Sequence, residues 1–162
     1  IRCLLKRGVT VIRVPWNYDF NTIEHDGIFI SNGPGNPSMC VPTVEHLKKA
    51  LEGNKPVCGI CMGNQLLGLA AGGKVYKMKY GHRGHNQPVR HADTGMCYIT
   101  SQNHGFALDT ASLGDEWVPL YTNLNDGTNE GIRHKFKPFL LHSSIRKPRA
   151  ALPIPSPYLM NS

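Results

Sequence analysis

The stretch that most constrains this chain is Lys55-Pro56-Val57-Cys58-Gly59-Ile60-Cys61-Met62-Gly63-Asn64-Gln65-Leu66-Leu67. Val57 to Ile60 is a short apolar run bounded by Pro56, and it leads without a loop into Cys61. Gln65-Leu66-Leu67-Gly68-Leu69-Ala70-Ala71 then reads as a helix, stopped by Gly72-Gly73. Strand, sharp corner and helix, with a nucleophile-capable side chain at the corner, form a nucleophile elbow with Cys in the place of Ser. Gly59 and Gly63 flank the corner, where a tight backbone leaves no room for Cβ atoms. A helix N-terminus lowers a thiol pKa and offers free N–H groups to an oxyanion, so Cys61 is expected to be an activated nucleophile. Two other roles suit a Cys here. One is packing as a small apolar group at a buried strand end; the other is redox chemistry in the formal C-x-x-C of Cys58-Gly59-Ile60-Cys61. The redox role fits less well, because Cys58 falls inside the strand instead of opening the helix.

The elements before the elbow set its context. Ile1 to Arg7 reads as the end of a helix closed by Gly8, and Val9 to Val14 as a β-branched strand stopped by Pro15. Asp26-Gly27-Ile28-Phe29-Ile30-Ser31 is a second, continuously apolar strand, as buried parallel strands are. The rigid turn Asn32-Gly33-Pro34-Gly35-Asn36-Pro37 follows. Pro42 to Glu52 is an amphipathic helix with Val44, Leu47 and Leu51 inward, ended by Gly53. Alternating strands and helices imply right-handed crossovers and an α/β fold with a mostly parallel central sheet flanked by helices in three layers. Ligands of such sheets bind at the carboxyl ends of the strands. Both the Gly33-Pro34-Gly35 turn and Cys61 follow directly on strands, so both are expected on that edge.

The second half is richer in short strands: Lys74 to Lys79, Gln87 to Val89, Cys97 to Ser101, Trp117 to Asn123 and Asn129 to Arg133. Gly81-His82-Arg83-Gly84-His85 reads as a basic surface loop. Its two His suggest a metal, but no carboxylate or Cys is near in sequence, so no metal site is expected. Ser101-Gln102-Asn103-His104-Gly105-Phe106 reads as a polar turn. Beside a nucleophile it would offer amide and backbone groups to a polar substrate, as the Gly-rich turn would offer N–H groups.

Length and charge narrow the function classes. At 162 residues the chain fits one domain with a real core, and no apolar run approaches transmembrane length. The five Cys follow no disulfide framework, which points to a reducing compartment. The chain begins at Ile1 without Met and reads as a fragment. The net charge of +7 is uneven: up to Arg133 there are 13 Lys and Arg against 11 Asp and Glu. The remaining five basic residues (Lys135, Lys137, Arg146, Lys147, Arg149) have no acid among them. The basicity belongs to a tail, so neither a nucleic-acid nor a membrane partner is expected.

Gly59-Ile60-Cys61-Met62-Gly63-Asn64-Gln65 resembles the nucleophile motif of the class I (triad) glutamine amidotransferases, a flavodoxin-like α/β family. Three later strings narrow the resemblance: Arg83-Gly84-His85-Asn86-Gln87-Pro88-Val89, Ser101 to Phe106, and Asn129-Glu130-Gly131-Ile132-Arg133-His134. With Ser31 to Pro37, they look like the amidotransferase domain of glutamine-dependent carbamoyl-phosphate synthases. The likeness runs from Ile1 to about Phe139. It implies that Cys61 attacks the side-chain amide of L-glutamine, releasing ammonia. It implies that Gly33, Gly35, Met62, Gln65, Asn103, Gly105 and Phe106 hold glutamine, with N–H groups of the Gly-rich turn and Met62 as oxyanion donors. No cofactor is implied for this portion. ATP and Mg belong to the synthetase, a large subunit or fused domains, which is the implied partner. The implied setting is the cytoplasm or the mitochondrion, in pyrimidine or arginine biosynthesis. The family's upstream small domain and first strand are absent from this sequence.

The end of the chain departs from the family. Its Gln-Phe-His-Pro-Glu, carrying the general base and the acid that orients it, should follow Lys137-Pro138-Phe139. The expected His falls at about Ile145 and the Glu at about Lys147, and from Leu140 to Ser162 there is no acid. A one-base shift of frame starting at His142 accounts for this. Codons allowed for His142 to Pro148 then read Gln-Phe-His-Pro-Glu-Ala. The chain is therefore read as an amidotransferase domain over residues 1–139 and an out-of-frame basic, Pro-rich tail over 140–162. Two functions follow: a glutaminase portion with Cys61 as nucleophile, inactive as written, or a non-catalytic amidotransferase-like scaffold. A natural basic interaction tail is the other reading of the ending.

Overall fold

The computed structural model describes residues 1–142. In chain order the elements are α1 (Arg2–Leu5), β1 (Ile28–Ile30), α2 (Val41–Glu52), β2 (Val57–Ile60), α3 (Met62–Ala70), β3 (Lys74–His91), β4 (Cys97–Asp109), β5 (Trp117–Asn123), β6 (Asn129–His134) and β7 (Phe139–His142). One seven-stranded sheet runs in the order β1-β2-β7-β6-β5-β3-β4. The fold is α/β, as expected, and its sheet is mixed. β1 pairs parallel with β2, and β2 parallel with β7. The remaining neighbours pair antiparallel.

The parallel part carries the apolar core. Leu47 of α2, Leu66 and Leu67 of α3, Val57 of β2, and Phe139 and Leu141 of β7 form one buried cluster with Ile132 and Leu108. Each such side chain contributes roughly 1.5–3 kcal/mol by leaving water. α3 is apolar almost all round: eight of its residues, Met62 to Gly68 and Ala70, are buried. It packs on α2 and lies against β1, β2, β3, β4 and β7. β7 continues through His142, past the boundary expected at Phe139, with His142 opposite Ile60.

Two expectations fail in instructive ways. Val9 to Val14 forms no strand, and Val9 and Ile12 are exposed. β-branched residues make a strand only where a neighbour takes up the backbone hydrogen bonds, and β1, on the sheet edge, pairs only with β2. In the second half, the strands expected at Lys74 to Lys79 and Gln87 to Val89 are one strand, β3, and that at Cys97 to Ser101 runs on to Asp109 as β4. Those at Trp117 to Asn123 and Asn129 to Arg133 are found as β5 and β6. Gly81 to His85 is not a loop, nor Ser101 to Phe106 a turn: His82 pairs with His104, Arg83 with Asn103 and Gly84 with Gln102. Irregularities between Lys77 and His82 and between Gly84 and Gln87 let the strands bend around this stretch. No helix among the described residues is long and apolar enough to cross a membrane.

Candidate active site

β2 delivers the chain to Cys61, and α3 leaves from it. Cys61 has φ +55° and ψ −108°, the one non-glycine residue with positive φ among those described. Such a backbone costs on the order of 1–3 kcal/mol and persists only where the surroundings enforce it. Enforcement is visible on both sides. A Cβ at Gly59 would lie 2.6 Å from the carbonyl carbon of Gly63 and 2.7 Å from Leu141 Cδ2. A Cβ at Gly63 would run into the carbonyl oxygen of Ile30. The elbow is thus wedged between β1 and β7. Cys61 caps α3, its carbonyl accepting from the N–H groups of Asn64 at 3.0 Å and Gln65 at 3.3 Å.

The thiol lies in a cleft of about 290 Å³. One wall is the turn after β1, with Gly33, Pro34 and Gly35; the floor is Met62 and Gln65; the opposite wall is Asn103 to Phe106 of β4. All seven residues expected to hold substrate therefore meet around Cys61. Gly35 adopts φ +98°, which a side chain would strain. Gln65 is buried, and its Nε2 donates to the carbonyl oxygen of Phe106 at 2.7 Å, tying helix to strand. The Cys61 thiol lies 4.0 Å from the carbonyl oxygen of Asn103.

The expected lowering of the thiol pKa is not found. Burial pushes Cys61 up, the N–H of Met62 pulls it down, and the negative charge of Glu130 pushes it up again; the sum is upward. The helix N-terminus is outweighed by desolvation, so the thiolate needs a proton acceptor. Where the sequence pattern would put that acceptor, about Ile145 and Lys147, lies outside the described residues.

Behind the β4 wall lies a polar cluster that linear reading missed. Glu130 is fully buried. His82 Nδ1–H donates to its Oε1 at 2.8 Å, and His82 Nε2–H donates to Asp126 Oδ2 at 2.8 Å. His104 Nε2 lies 3.2 Å from Glu130 Oε2, and its Nδ1 lies 3.0 Å from the carbonyl oxygen of Phe106. The hydrogen bond to Glu130, first, and that to Asp126 raise His82 to about 9 against the lowering effect of burial. Burial would raise Glu130, but hydrogen bonds from both imidazoles hold it below its usual range. The expectation that His82 sits on a surface loop with no carboxylate near is overturned: Glu130 and Asp126, 48 and 44 residues away, come to it through β6 and the turn before it. The ligand-capable atoms of His82, His104 and Glu130 lie within 4.8 Å of one another, so these three could in principle hold a metal. They are closed on one another instead, each oxygen of Glu130 already engaged by an imidazole.

His104, part of the Ser101 to Phe106 stretch, also lines the cleft, as do Lys77 and Arg83, which were not singled out from the sequence. For Lys77 and Arg83 the missing signal was register: only the pairing of β3 with β4 sets them opposite Phe106 and Asn103.

Comparison with known proteins agrees with this geometry. A model of the family "Glutamine amidotransferase class-I" matches residues 1–141. The "Multifunctional protein CAD" of Squalus acanthias is 56% identical over 140 residues, covering 85% of this chain and 6% of that protein. The "Carbamoyl phosphate synthase arginine-specific small chain" of Debaryomyces hansenii is 50% identical over 142 residues, covering 85% of this chain and 33% of that protein. The chain thus spans a third or less of the length of these relatives. Among solved structures, a glutamine amidotransferase from Thermotoga maritima superposes with a TM-score of 0.60 at 17% identity, over 86% of this chain and 60% of that one. At that identity the likeness speaks for the fold alone. From the elbow, the cleft and the family match together, the chain belongs to the class I glutamine amidotransferases.

Proposed function

We propose that this chain is the glutaminase portion of a carbamoyl-phosphate synthase, with Cys61 as nucleophile. The observation that carries the reading is the strained Cys61 corner, facing the Gly33 to Gly35 turn and the Asn103 to Phe106 strand across one cleft. The names of the relatives support the synthase assignment. In the proposed reaction, Cys61 Sγ bonds to the side-chain carbonyl carbon of glutamine. The oxyanion is held by N–H groups of Met62 and the Gly-rich turn. The C–N bond breaks, and ammonia leaves with the proton a base took from the thiol. Water then opens the thioester to glutamate. Gly33, Gly35, Met62, Gln65, Asn103, Gly105 and Phe106 hold the substrate. Ammonia passes to a synthetase portion, fused or separate, where ATP and Mg do the remaining chemistry in the cytosol.

As written, the polypeptide is inactive in this reading, which keeps the non-catalytic scaffold as the second one. The observation favouring it is that His104, the histidine in the cleft with Cys61, has both ring nitrogens directed at acceptor oxygens. It has no free nitrogen to take the thiol proton. General acid–base help is worth about a hundred- to ten-thousand-fold.

The test has two steps. A glutamine-mimicking chloroketone should label this chain at Cys61 and saturate; labelling that survives Cys61→Ser but is lost in Cys58→Ser would overturn the reading. Next, the other frame is restored after Phe139, together with the N-terminal portions that the family resemblance implies. Ammonia release from glutamine should then appear, and a folded but inactive product would refute the frame-shift account.

A further inference from the structure

The Asn103 to Phe106 wall of the cleft lies where the sheet is least able to hold it. Lys77 of β3 pairs with Phe106 and His82 with His104, so the four residues 78–81 of β3 stand against the single Gly105 of β4. Ladder hydrogen bonds are interrupted at such an irregularity, and side chains take over. The Phe106 carbonyl oxygen accepts from Gln65 Nε2 at 2.7 Å and from His104 Nδ1–H at 3.0 Å. His104 is itself held from behind, its Nε2 lying 3.2 Å from Oε2 of the fully buried Glu130. The other oxygen of Glu130 accepts from His82 Nδ1–H at 2.8 Å, and Asp126 Oδ2 accepts from His82 Nε2–H at 2.8 Å. The two imidazoles meet edge to face with ring centroids 5.1 Å apart. One chain of contacts thus runs from the turn before β6, through β3, β6 and β4, to Gln65 in the floor of the cleft.

A buried carboxylate adds little net stability over a well-packed apolar side chain, so a fully buried Glu130 asks for another reason. We infer that Glu130 is a positioning residue of the Cys61 cleft: through His104 it fixes the Phe106 carbonyl, and with it the Asn103 to Phe106 wall, while His82 and Asp126 hold Glu130 from the other side. The inference rests on the glutaminase reading above and adds a support that touches no substrate, since Glu130 does not line the cleft. A carboxylate suits the place because it presents two acceptors and no donor, one oxygen to each imidazole. An imidazole pinned at Nε2 cannot turn, so its Nδ1–H stays aimed at Phe106. The Phe106 carbonyl is then shared between strand and helix, which fixes the spacing of the wall from Gln65. Groups that hold a substrate keep their geometry only when their own supports are locked in this way.

The experiment uses the full chain and Cys61 alkylation by a glutamine-mimicking α-amino chloroketone acid, so it does not require turnover. The Cys61 sulfur displaces chloride, forming a thioether and releasing a proton to the buffer. His82→Leu with Glu130→Met replaces the buried pair by apolar groups of similar size, a change often neutral for stability, and removes the hold on His104. The half-saturating concentration should rise about two- to tenfold, the worth of one hydrogen bond, while the rate at saturation does not fall. Iodoacetamide needs only the thiol and should react no more slowly than with the parent, because the negative charge of Glu130 opposes the thiolate. Glu130→Gln, whose amide can accept from one imidazole and donate to the other, should stay within about twofold of the parent. In the parent itself, proton–nitrogen correlation spectra of the imidazoles should show the His104 Nδ1 proton exchanging slowly with water. An unchanged half-saturation in the double variant would overturn the inference, as would a Glu130→Gln protein as weak as that variant. Slowed iodoacetamide alkylation would make the pair merely structural and overturn it too. A rapidly exchanging Nδ1 proton in the parent would do so whether or not any variant folds. A parent chain that alkylates without saturation would overturn the glutaminase reading itself and this inference with it.

Discussion

Around β1, β2 and β7 the interior is hydrocarbon, joined by Leu108 of β4 and Ile132 of β6, while much of the remaining interior of β3 to β6 is polar. The first region buries Leu47, Val57, Leu66, Leu67, Phe139 and Leu141 against one another. The second buries only Val89, Leu120 and Tyr121 as a separate apolar cluster. Beside that cluster it buries His82, Thr100, Gln102, His104, Asn123, Asn129 and Glu130. The division follows the work each half does. A strained corner needs a close-packed, non-directional platform that leaves it nowhere to relax. A wall facing a small polar ligand needs its carbonyls and amides aimed, and hydrogen bonds aim better than hydrocarbon does. The polar half is accordingly the one that single-atom changes and pH should reach.

The largest expected effect lies there. Glu130→Ala leaves His82 and His104 without their shared carboxylate and should destabilise the chain by about 3–5 kcal/mol, the range for breaking a buried pair from one side. Equilibrium urea unfolding measures it. A loss below that of an ordinary buried Leu→Ala in the other half, roughly 2–5 kcal/mol, would mean that the cluster adds little net stability. Next in size is Gly63→Ala. Its Cβ would meet the carbonyl oxygen of Ile30, and backbone cannot step aside as a side chain can. An overpacking cost of about 1–3 kcal/mol is expected, with slower alkylation of Cys61 as the corner shifts. A fully stable, normally reactive Gly63→Ala protein would show the platform to be looser than its packing implies.

The two halves also differ in how far the sequence disclosed them. The elbow was legible because everything it needs is local: an apolar run, Cys61, and glycines two residues to either side. The seven positions that motif resemblance marks as substrate-holding meet in one cleft. What escaped was whatever depends on partners far away in the chain. Val9 to Val14 has the composition of a strand but no neighbour to pair with. Gly81 to His85 has the composition of a loop, yet the opposing Gln102 to His104 makes it a strand. His82 was read without Glu130, which lies 48 residues on, and so its charge state was out of reach. The pKa of Cys61 was misjudged for a related reason: position at a helix N-terminus is local, but desolvation is not.

The third prediction uses pH to separate the halves. His82 is raised from 6.5 to about 9 in the folded chain. A raised histidine binds its proton more tightly folded than unfolded. Its stabilisation is therefore complete below about pH 6.5 and is lost as pH rises towards 9. The contribution is on the order of 2–3 kcal/mol. The urea midpoint should fall between pH 6.5 and 9.5, and His82→Asn should flatten that fall. A slope that persists unchanged in the variant would move the effect to other groups.

The smallest effect tests the platform from the opposite direction. At φ +55° the Cβ of Cys61 is a liability that the surrounding packing holds in place. Cys61→Ala removes the sulfur and keeps the strain; Cys61→Gly removes both. In an unstrained position glycine would be the less stable of the two by about 0.5–1 kcal/mol, because it has more backbone freedom to lose. Here the order should reverse, with the glycine variant more stable by about 1 kcal/mol, a rise in Tm of roughly 2–4 °C for a domain of this size. Thermal melts of the two variants, compared with each other and not with the parent, isolate the backbone from the lost thiol contacts. If alanine proves the more stable, the corner is relaxed in solution, and the apolar half does not enforce the geometry on which the nucleophile's exposure to the cleft depends.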